Sequence, residues 1–264
     1  MLVFIAQDYA ELSREAARVV ARAIRRQPDL RLGLASGSTQ VGMYQELVRM
    51  HREEALDFSR VVTFNLDEYV GLPAEHPQSF HSFMFRNFFD HVNVPKKQIH
   101  IPDGSLRGNF KETCAQYEEA IRRAGGIDLQ TLGIGKDGHI GFNEPASSLA
   151  SRTRVKTLTR RTIRDNRAGF ASGEEPPRAA ITMGIGTILE ARRILLLGSG
   201  AGKARAVALA VEGPLTASVT ASALQLHGDA TFLVDRDAAA TLRHKEYYQI
   251  ALEMTRKLTP GRLW

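Results

Sequence analysis

The sequence predicts an α/β fold, with a mostly parallel, doubly wound sheet flanked by helices. Two observations support this prediction. Runs typical of β-strands alternate with helical stretches along the 264-residue chain, and several of these runs, such as VVTFNL and RILLLG, are almost wholly apolar. Strands that are apolar on both faces are typical of a parallel sheet covered by helices on both sides. Ligands of such sheets bind at the carboxyl ends of the strands.

The strands are expected in chain order at Val3–Ala6, Leu30–Ala35, Arg60–Leu66, Gln98–Ile101, Ile127–Gly133, Ala179–Met183, Arg193–Gly198 and Ala230–Val234. Helices are expected at Tyr9–Gln27, Val41–His51, Phe110–Ala124, Lys203–Val211 and Ala239–Leu258. We find no linker, repeat or domain boundary, so residues 1–264 are expected to form one domain. The strongly basic segment Ser151–Pro177 has few large apolar residues. We therefore expect a mobile surface lid over residues 151–183.

Composition excludes several classes of protein. The chain is 43% hydrophobic and 24% charged, as in ordinary soluble globular proteins. Its single cysteine, Cys114, excludes a disulfide framework and a cysteine-rich zinc site. No apolar run approaches the roughly 18 residues of a membrane span, and the N-terminus has no apolar region of a signal peptide. We therefore expect a cytoplasmic protein without a membrane partner.

The net charge of +6 comes from dispersed basic residues, and no nucleic-acid-binding motif is visible. Positive potential also concentrates anionic metabolites at a cleft. The charge therefore favours a small anionic substrate over a nucleic-acid partner.

The segment Gly133–Pro145, GIGKDGHIGFNEP, is the strongest indication of function. It follows an apolar strand and places Asp137, His139 and Glu144 among four glycines within thirteen residues. An imidazole between carboxylates that orient it is suited to proton transfer near neutral pH. The alternative is a polar loop in which the aspartate caps a helix and the histidine is incidental. The density of titratable groups favours the catalytic interpretation.

A second carboxylate pair, Asp67 and Glu68, ends the strand VVTFNL. One of the two is expected to face solvent, and the other to act as a base in the cleft.

Two strand-turn-helix segments fit a phosphate ligand. In LGLASGST the amides and hydroxyls of Ser36, Gly37, Ser38 and Thr39 precede a helix. The alternative is a plain helix cap, because the segment matches neither a P-loop nor a dinucleotide motif. In GSGAGKARAV, Lys203 stands in the first helical turn, where a cation opposes the helix dipole unless it serves an anion.

The sequence resembles the glucosamine-6-phosphate deaminase family from about Gly33 to Asp235. The similar segments are LGLASGSTQVGMYQEL, FNLDEYVGL with HPQSFHSFM, GIGKDGHIGFNEPASSLASRTRVKTLT and AVEGPLTASVTASALQLH. The resemblance implies a modified doubly wound sheet. It also implies conversion of D-glucosamine 6-phosphate and water to D-fructose 6-phosphate and ammonia, without a metal or an organic cofactor.

The resemblance assigns a role to each candidate residue. Asp67 matches the base that moves a proton from C2 to C1 of the open-chain sugar. His139 matches the group that opens the pyranose ring, with Asp137 and Glu144 as the carboxylates that hold it. The sugar-phosphate contacts are matched by Ser36, Gly37, Ser38, Thr39 and Lys203.

Two departures from the family pattern bear on phosphate binding. Ala35-Ser36-Gly37 replaces the usual Pro-Thr-Gly, and Gln40 replaces a proline; Ser36 keeps the hydroxyl. The family's phosphate-binding arginine falls at Ala168, and Arg167 stands one position earlier. Either the helix of the lid turns slightly so that Arg167 serves instead, or this phosphate contact is weakened and the apparent KM rises.

The resemblance also implies a second ligand. In the hexameric branch of the family, positions that match Ser147, Arg154, Lys156 and Thr157 bind the activator N-acetylglucosamine 6-phosphate at a subunit interface. A homo-oligomer, with a hexamer suspected, is therefore expected. The alternative is that SSLASRTRVKT is a basic strand bordering the lid and binds no ligand.

Two other functions share features of this sequence but fit it less well. A 6-phosphogluconolactonase shares the fold and the Gly-x-Gly-x-Asp-Gly-His turn, but there the turn runs on into an Ala-Ser-Leu-Phe-type sequence, whereas Phe-Asn-Glu-Pro follows here. A sugar-phosphate-sensing domain of a transcription regulator carries an N-terminal helix-turn-helix, whereas this chain begins close to its first strand. A pure sensor would also not need Asp67, His139 and Glu144 together.

Overall fold

The computed structural model of the protein describes residues 1–105 and 109–259. The strands are β1 Leu2–Ala6, β2 Arg31–Leu34, β3 Val62–Asn65, β4 Asp67–Tyr69, β5 Ile99–His100, β6 Leu129–Gly133, β7 Arg154–Thr157, β8 Ala179–Thr182, β9 Ile194–Gly198 and β10 Ala230–Asp235. Seven of them form the main sheet in the order β1-β10-β9-β6-β2-β3-β5. Every neighbouring pair of this sheet is parallel. The prediction of a mostly parallel sheet in an α/β fold is confirmed.

A second, antiparallel sheet of three strands, in the order β4-β8-β7, was only partly foreseen. The strand β4 has three residues and begins two positions after the last residue of β3, and the predicted strand Arg60–Leu66 ends just before it. The strand β7 alternates half-buried and exposed residues and is basic, which resembles a surface segment. This small sheet includes Asp67 and connects it to residues of the expected lid.

The helices are α1 Tyr9–Arg26, α2 Ser38–Glu53, α3 Phe80–Asn87, α4 Phe110–Arg123, α5 Arg160–Asn166, α6 Ile185–Leu189, α7 Ala204–Val211 and α8 Lys245–Leu258. Two short helices, α3 and α6, were not predicted. The basic pair Arg160–Arg161 was expected to lie in a helix, and it begins α5. The helix α8 begins six residues later than expected (245 rather than 239). The backbone N–H of Ala239 instead closes a turn onto the carbonyl of Asp235 at 2.9 Å.

The core lies on both faces of the main sheet. Along β9, Leu195 and Leu197 pack with the cluster that contains α1 and α2 residues. Leu196, between them, packs with the opposite cluster, which contains α4 and α7 residues. Successive side chains of a strand point to opposite faces, so β9, with the sequence ILLLG, is apolar throughout because both of its faces are covered.

The parallel pairing brings the carboxyl ends of β2, β3, β6 and β9 to one edge of the sheet. The segments that follow these ends are 35–39, 66–69, 134–144 and 199–203, and they hold most of the candidate residues. No helix of the described part of the chain has the length and apolar character needed to cross a membrane.

Candidate active site

A cavity of about 390 Å³ opens at this edge of the main sheet. The predicted residues Asp67, His139, Lys203 and Ser36–Thr39 all line it. Its remaining lining residues are Ala35, Gln40, Leu66, Phe80, Gly133, Ile134, Gly135, Lys136, Gly141, Phe142, Thr162, Asp165 and Asn166. The fold therefore brings the two candidate acid-base groups and the expected phosphate loop to one site.

The imidazole of His139 lies between two carboxylates. Its Nδ1 is 2.7 Å from Oδ1 of Asp137 and 3.8 Å from Oε2 of Glu144. The Asp137 oxygen lies off the direction of a ring N–H, so this is a close contact and not a well-directed hydrogen bond. Burial raises the pKa of Asp137, but the contact with His139 and two backbone N–H groups outweighs it and lowers that pKa to about 2. Asp137 is therefore ionised at neutral pH and holds the imidazole.

Glu144 is fully buried and is held from the opposite side. The backbone N–H of Thr159 donates to its Oε1 at 3.1 Å, and the Thr159 hydroxyl donates to its Oε2 at 3.4 Å. Thr159 also caps the N-terminus of α5 by accepting from the N–H of Thr162. Glu144 thus connects the His139 loop to the helix of the expected lid.

Gly135 is required for the position of His139. A Cβ on Gly135 would lie 2.5 to 2.7 Å from three atoms of the imidazole ring. The backbone of Gly135 also contacts His139 directly, because its N–H donates a hydrogen bond to the carbonyl of His139 at 2.8 Å. Within the same turn, a Cβ on Gly133 would meet only Nε2 of Gln40, at 3.6 Å, which is an ordinary contact.

Asp67 and Glu68 are both buried, with exposed fractions of 6% and 4%. The expectation that one of them faces solvent is wrong, because Glu68 accepts hydrogen bonds from the backbone N–H groups of Tyr69, Phe80 and His81. Glu68 thereby closes the first turn of α3. The Asp67 carboxylate lies beside the His139 loop, 3.6 Å from the position of a Cβ at Gly141.

Two effects perturb Asp67. Burial is the larger and raises its pKa well above the usual value, and the negative charge of Glu68 raises it further. A carboxylate whose pKa is raised toward neutrality is a stronger base than an exposed one. Asp67 is therefore suited to remove a proton from carbon.

The loop before α2 has open donors. Gly37 precedes α2 with φ of +130° and provides no side-chain cap, so the first N–H groups of the helix remain available. The hydroxyl of Ser36 is buried and has no partner among the described residues. Unpaired N–H groups at a helix N-terminus favour anions. The loop thus has the donors of an anion site.

Lys203 lies opposite this loop, at the end of the 3₁₀ turn Ala201–Lys203. Its Nζ donates to the carbonyl of Ile134 at 2.6 Å. Burial lowers the pKa of Lys203, and the positive charge of Lys136 lowers it further. An anion bound between the loop and Lys203 would offset both effects.

Arg167 does not line the cavity. It lies with Thr157, Arg160 and Arg164 in a separate cleft, which we call the outer cleft. Its other lining residues are Leu158, Ile163, Glu175 and Arg178. The helical repeat explains this placement: Thr162, Asp165 and Asn166 face the cavity, so positions 163, 164 and 167 fall on the other side of the helix.

The four expected activator residues do not converge on one pocket. Ser147 is only 2% exposed, and Arg154 lines a groove beside Cys114. Lys156 shares the half-buried side of β7 with Arg154, whereas Thr157 lines the outer cleft. Arg154 does reach the active site indirectly, since its guanidinium donates to Oδ1 of Asn143 at 2.8 Å, next to Glu144.

The His139 cluster could also hold a metal. One ligand atom from each of Asp137, His139 and Glu144 lies within 4.8 Å of the others. A carboxylate-histidine set of this kind suits Zn²⁺. Thr159 already donates hydrogen bonds to both oxygens of Glu144, which favours a structural role for that carboxylate. The absence of a metal requirement remains an expectation from the resemblance.

Several residues of the cavity were not singled out from the sequence. Phe80 stacks on Phe142 at a centroid distance of 5.7 Å and forms an apolar wall. Thr162 of the cavity comes from a segment that the sequence shows only as basic and polar, as does Thr159, which does not line the cavity but donates to Glu144. Lys136 lies in the middle of the GIGKDGH turn, but nothing in the sequence distinguishes it from an ordinary surface lysine.

The profile of the family described as glucosamine-6-phosphate isomerases and 6-phosphogluconolactonase matches residues 6–232. The chain belongs to this family. A glucosamine-6-phosphate deaminase from Thermoanaerobacter sp. is 50% identical over 250 residues, which cover 95% of this chain and 98% of the relative.

Solved structures agree with this family membership. A monomeric glucosamine-6-phosphate deaminase is 46% identical, with a TM-score of 0.89 over 92% of this chain and 100% of that chain. A 6-phosphogluconolactonase from Trypanosoma cruzi is 20% identical, with a TM-score of 0.73 over 91% of this chain and 96% of that chain. The lactonase is similar in fold alone.

Gly135→Ala should displace the His139 ring, because its Cβ would overlap the imidazole. We expect the loss of general acid-base catalysis, about 10²- to 10⁴-fold in kcat for the reaction proposed below. The matched control Gly133→Ala adds the same methyl group in ordinary contact and should retain most activity. Steady-state kinetics with a melting curve for each variant provide the test. Equal activity of the two variants would contradict the assigned position of His139.

Glu68→Gln should shift the acid limb of the kcat/KM profile to lower pH. The negative charge of Glu68 raises the pKa of Asp67, so its removal lowers that pKa and keeps the base ionised in more acidic solution. The control Glu75→Gln neutralises an exposed carboxylate of the following loop and should leave the profile unchanged. An acid limb that stays in place, or moves to higher pH, would show that Asp67 does not control it.

Proposed function

We propose that the protein is a glucosamine-6-phosphate deaminase, which converts D-glucosamine 6-phosphate and water to D-fructose 6-phosphate and ammonia. One observation carries the proposal: the buried base Asp67 and the imidazole of His139 line the same cavity as an open anion loop. An aldose-ketose conversion needs a base near carbon, an acid-base group near the ring oxygens and a site for the phosphate. The relatives that bear this activity in their names support the assignment.

The first step is ring opening at His139. The imidazole takes the proton of the C1 hydroxyl and delivers a proton to the ring oxygen, so the C1–O5 bond breaks and an aldehyde forms. Asp137, ionised at neutral pH, stabilises the imidazolium that exists between the two transfers. Glu144 limits the motion of the ring from the other side.

The second step is proton transfer at Asp67. Its carboxylate removes the proton from C2 while the substrate ammonium group gives a proton to O1, which produces a neutral enolamine, and Asp67 then returns its proton to C1. The nitrogen is now an iminium at C2. Water adds to C2, one proton of that water moves to the nitrogen, and ammonia leaves as the other proton departs and the ketone forms. Burial of Asp67 supports this role, because a desolvated carboxylate is more basic and exchanges its proton with water less readily.

Ser36–Thr39 and Lys203 are the proposed phosphate contacts. The open N–H groups at the start of α2 and the unpartnered Ser36 hydroxyl supply donors, and Lys203 supplies charge. In this proposal the α5 segment is the lid, since Thr162, Asp165 and Asn166 cover one side of the cavity. The sensor alternative does not account for the presence of Asp67, His139 and Glu144 together, and the lactonase alternative does not account for the Phe-Asn-Glu-Pro sequence that follows the turn.

Activation by N-acetylglucosamine 6-phosphate is a further part of the proposal. Its support is the hydrogen bond from Arg154 to Asn143. Through this bond, the binding of an anion at β7 would affect the position of the residue before Glu144. The hexamer stays a prediction from the resemblance, and the deaminase of known structure with 46% identity is monomeric. The cytoplasmic location also stays a prediction.

Asp67→Asn should lower kcat by about 10²- to 10⁴-fold, because the proton acceptor is lost while the shape is kept. KM should change little. The difference in melting temperature between the variant and the wild type should shift in favour of the variant as the pH increases. The reason is that the folded-state pKa of Asp67 lies above its unfolded value, so ionisation between the two values destabilises only the wild type.

Steady-state kinetics and melting curves at several pH values measure both effects for Asp67→Asn. Turnover near the wild-type value would remove Asp67 from the mechanism and make Glu68 the candidate base.

If the activator site is present, the rate should depend sigmoidally on glucosamine 6-phosphate and become hyperbolic when N-acetylglucosamine 6-phosphate is added. A coupling free energy of about 1–3 kcal/mol between the sites is typical of such activation. Lys156→Ala should remove the response and leave kcat at saturating substrate intact. Hyperbolic kinetics without activator, together with no heat of binding in calorimetry, would leave a constitutively active enzyme.

A further inference from the structure

The proposed phosphate subsite has too little positive charge. A phosphate monoester carries about 1.5 to 2 negative charges at neutral pH, and Lys203 is the one cation assigned to it so far. The position of the family's phosphate-binding arginine is Ala168, and Arg167 lies in the outer cleft. A second cation must come from another element if the subsite is to bind a dianion strongly.

We propose that Lys136 is this second cation and, with Lys203, clamps the phosphate group of the substrate against the start of α2. The inference rests on the proposed function, because it assigns a residue to the phosphate subsite of that reaction. Lys136 lines the same cavity as Ser36–Thr39 and Lys203.

The two lysines are interleaved. The Cε of Lys136 lies 4.0 Å from the position of a Cβ at Gly202, so its stem crosses the turn that carries Lys203. In return, Nζ of Lys203 reaches the carbonyl of Ile134, two residues before Lys136. Their positive charges repel each other: after burial, the charge of Lys136 is the largest cause of the lowered pKa of Lys203. Two like charges held at the rim of a cavity form a favourable site for an anion.

Lys136 is free to exchange its present partner. Within the described ranges its ion pair is with Asp165 of α5, at 3.8 Å, and the two side chains are 52% and 39% exposed. An exposed pair at this distance contributes little to stability. A phosphate group can therefore take the place of Asp165 as the partner of the Lys136 ammonium group. The helix α5 would keep its position at the side of the cavity.

The test compares Lys136→Met, which keeps the stem and removes the charge, with Lys136→Arg, which keeps a cation. The matched control is Lys97→Met, which lowers the net charge by the same amount. Lys97 is exposed and does not line the cavity. Arg167→Ala tests the rival cation. Binding of inorganic phosphate by calorimetry and steady-state kinetics on glucosamine 6-phosphate are the two readouts.

We expect Lys136→Met to weaken phosphate binding and to raise KM by about 10-fold or more, since charge-assisted hydrogen bonds to phosphate are strong. Because the contact is remote from the reacting carbons, kcat should stay within about 2-fold. Lys136→Arg should retain most of the affinity, and Lys97→Met and Arg167→Ala should match wild type.

An unchanged phosphate affinity in Lys136→Met, or a loss confined to Arg167→Ala, would overturn the inference. So would a wild-type protein that binds no phosphate. Failure of the proposed function is distinguishable: the wild type would then bind phosphate in a manner that depends on Lys136 but release no ammonia from glucosamine 6-phosphate.

Discussion

The parallel pairing of β3, β2, β6 and β9 is the constraint on which the site depends. Parallel strands end at the same edge, so four separate loops deliver a base, an acid-base group, an anion loop and a lysine to one cavity. None of these groups is a neighbour of the others in sequence. The second sheet completes the arrangement, because Asp67 pairs with Thr182 on β8 and Thr182 in turn accepts from the N–H of Phe142 at 3.1 Å.

The site is held at a cost in stability. Asp67 and Glu68 are adjacent buried carboxylates, and burial raises the pKa of each. Ionising such a pair in the interior is unfavourable. Three backbone N–H groups stabilise the charge of Glu68 and fix it at the start of α3. No such donor reaches Asp67 from the described residues, and its pKa stays raised by burial and by the charge of Glu68. It is the group whose basicity the proposed reaction uses.

The sequence was sufficient for the main sheet and for the His139 cluster. RILLLG could be recognised because both faces of β9 are apolar, and GIGKDGH because titratable groups stand between glycines. It was insufficient for β7 and for the extent of α5, which are short, basic and only half-buried. The expectation that Asp67 or Glu68 faces solvent was wrong, because the α3 backbone approaches Glu68 and donates to it. The placement of Arg167 in the outer cleft depends on where α5 is capped, at Thr159.

In the proposed reaction, a single buried carboxylate moves a proton between neighbouring carbons of glucosamine 6-phosphate. The most direct test supplies this substrate with deuterium at C2 and follows ammonia release together with the NMR spectrum of the product. We expect one ammonia per fructose 6-phosphate and deuterium at C1 of the product. No ammonia, or fructose 6-phosphate without any deuterium at C1, would contradict this role of Asp67.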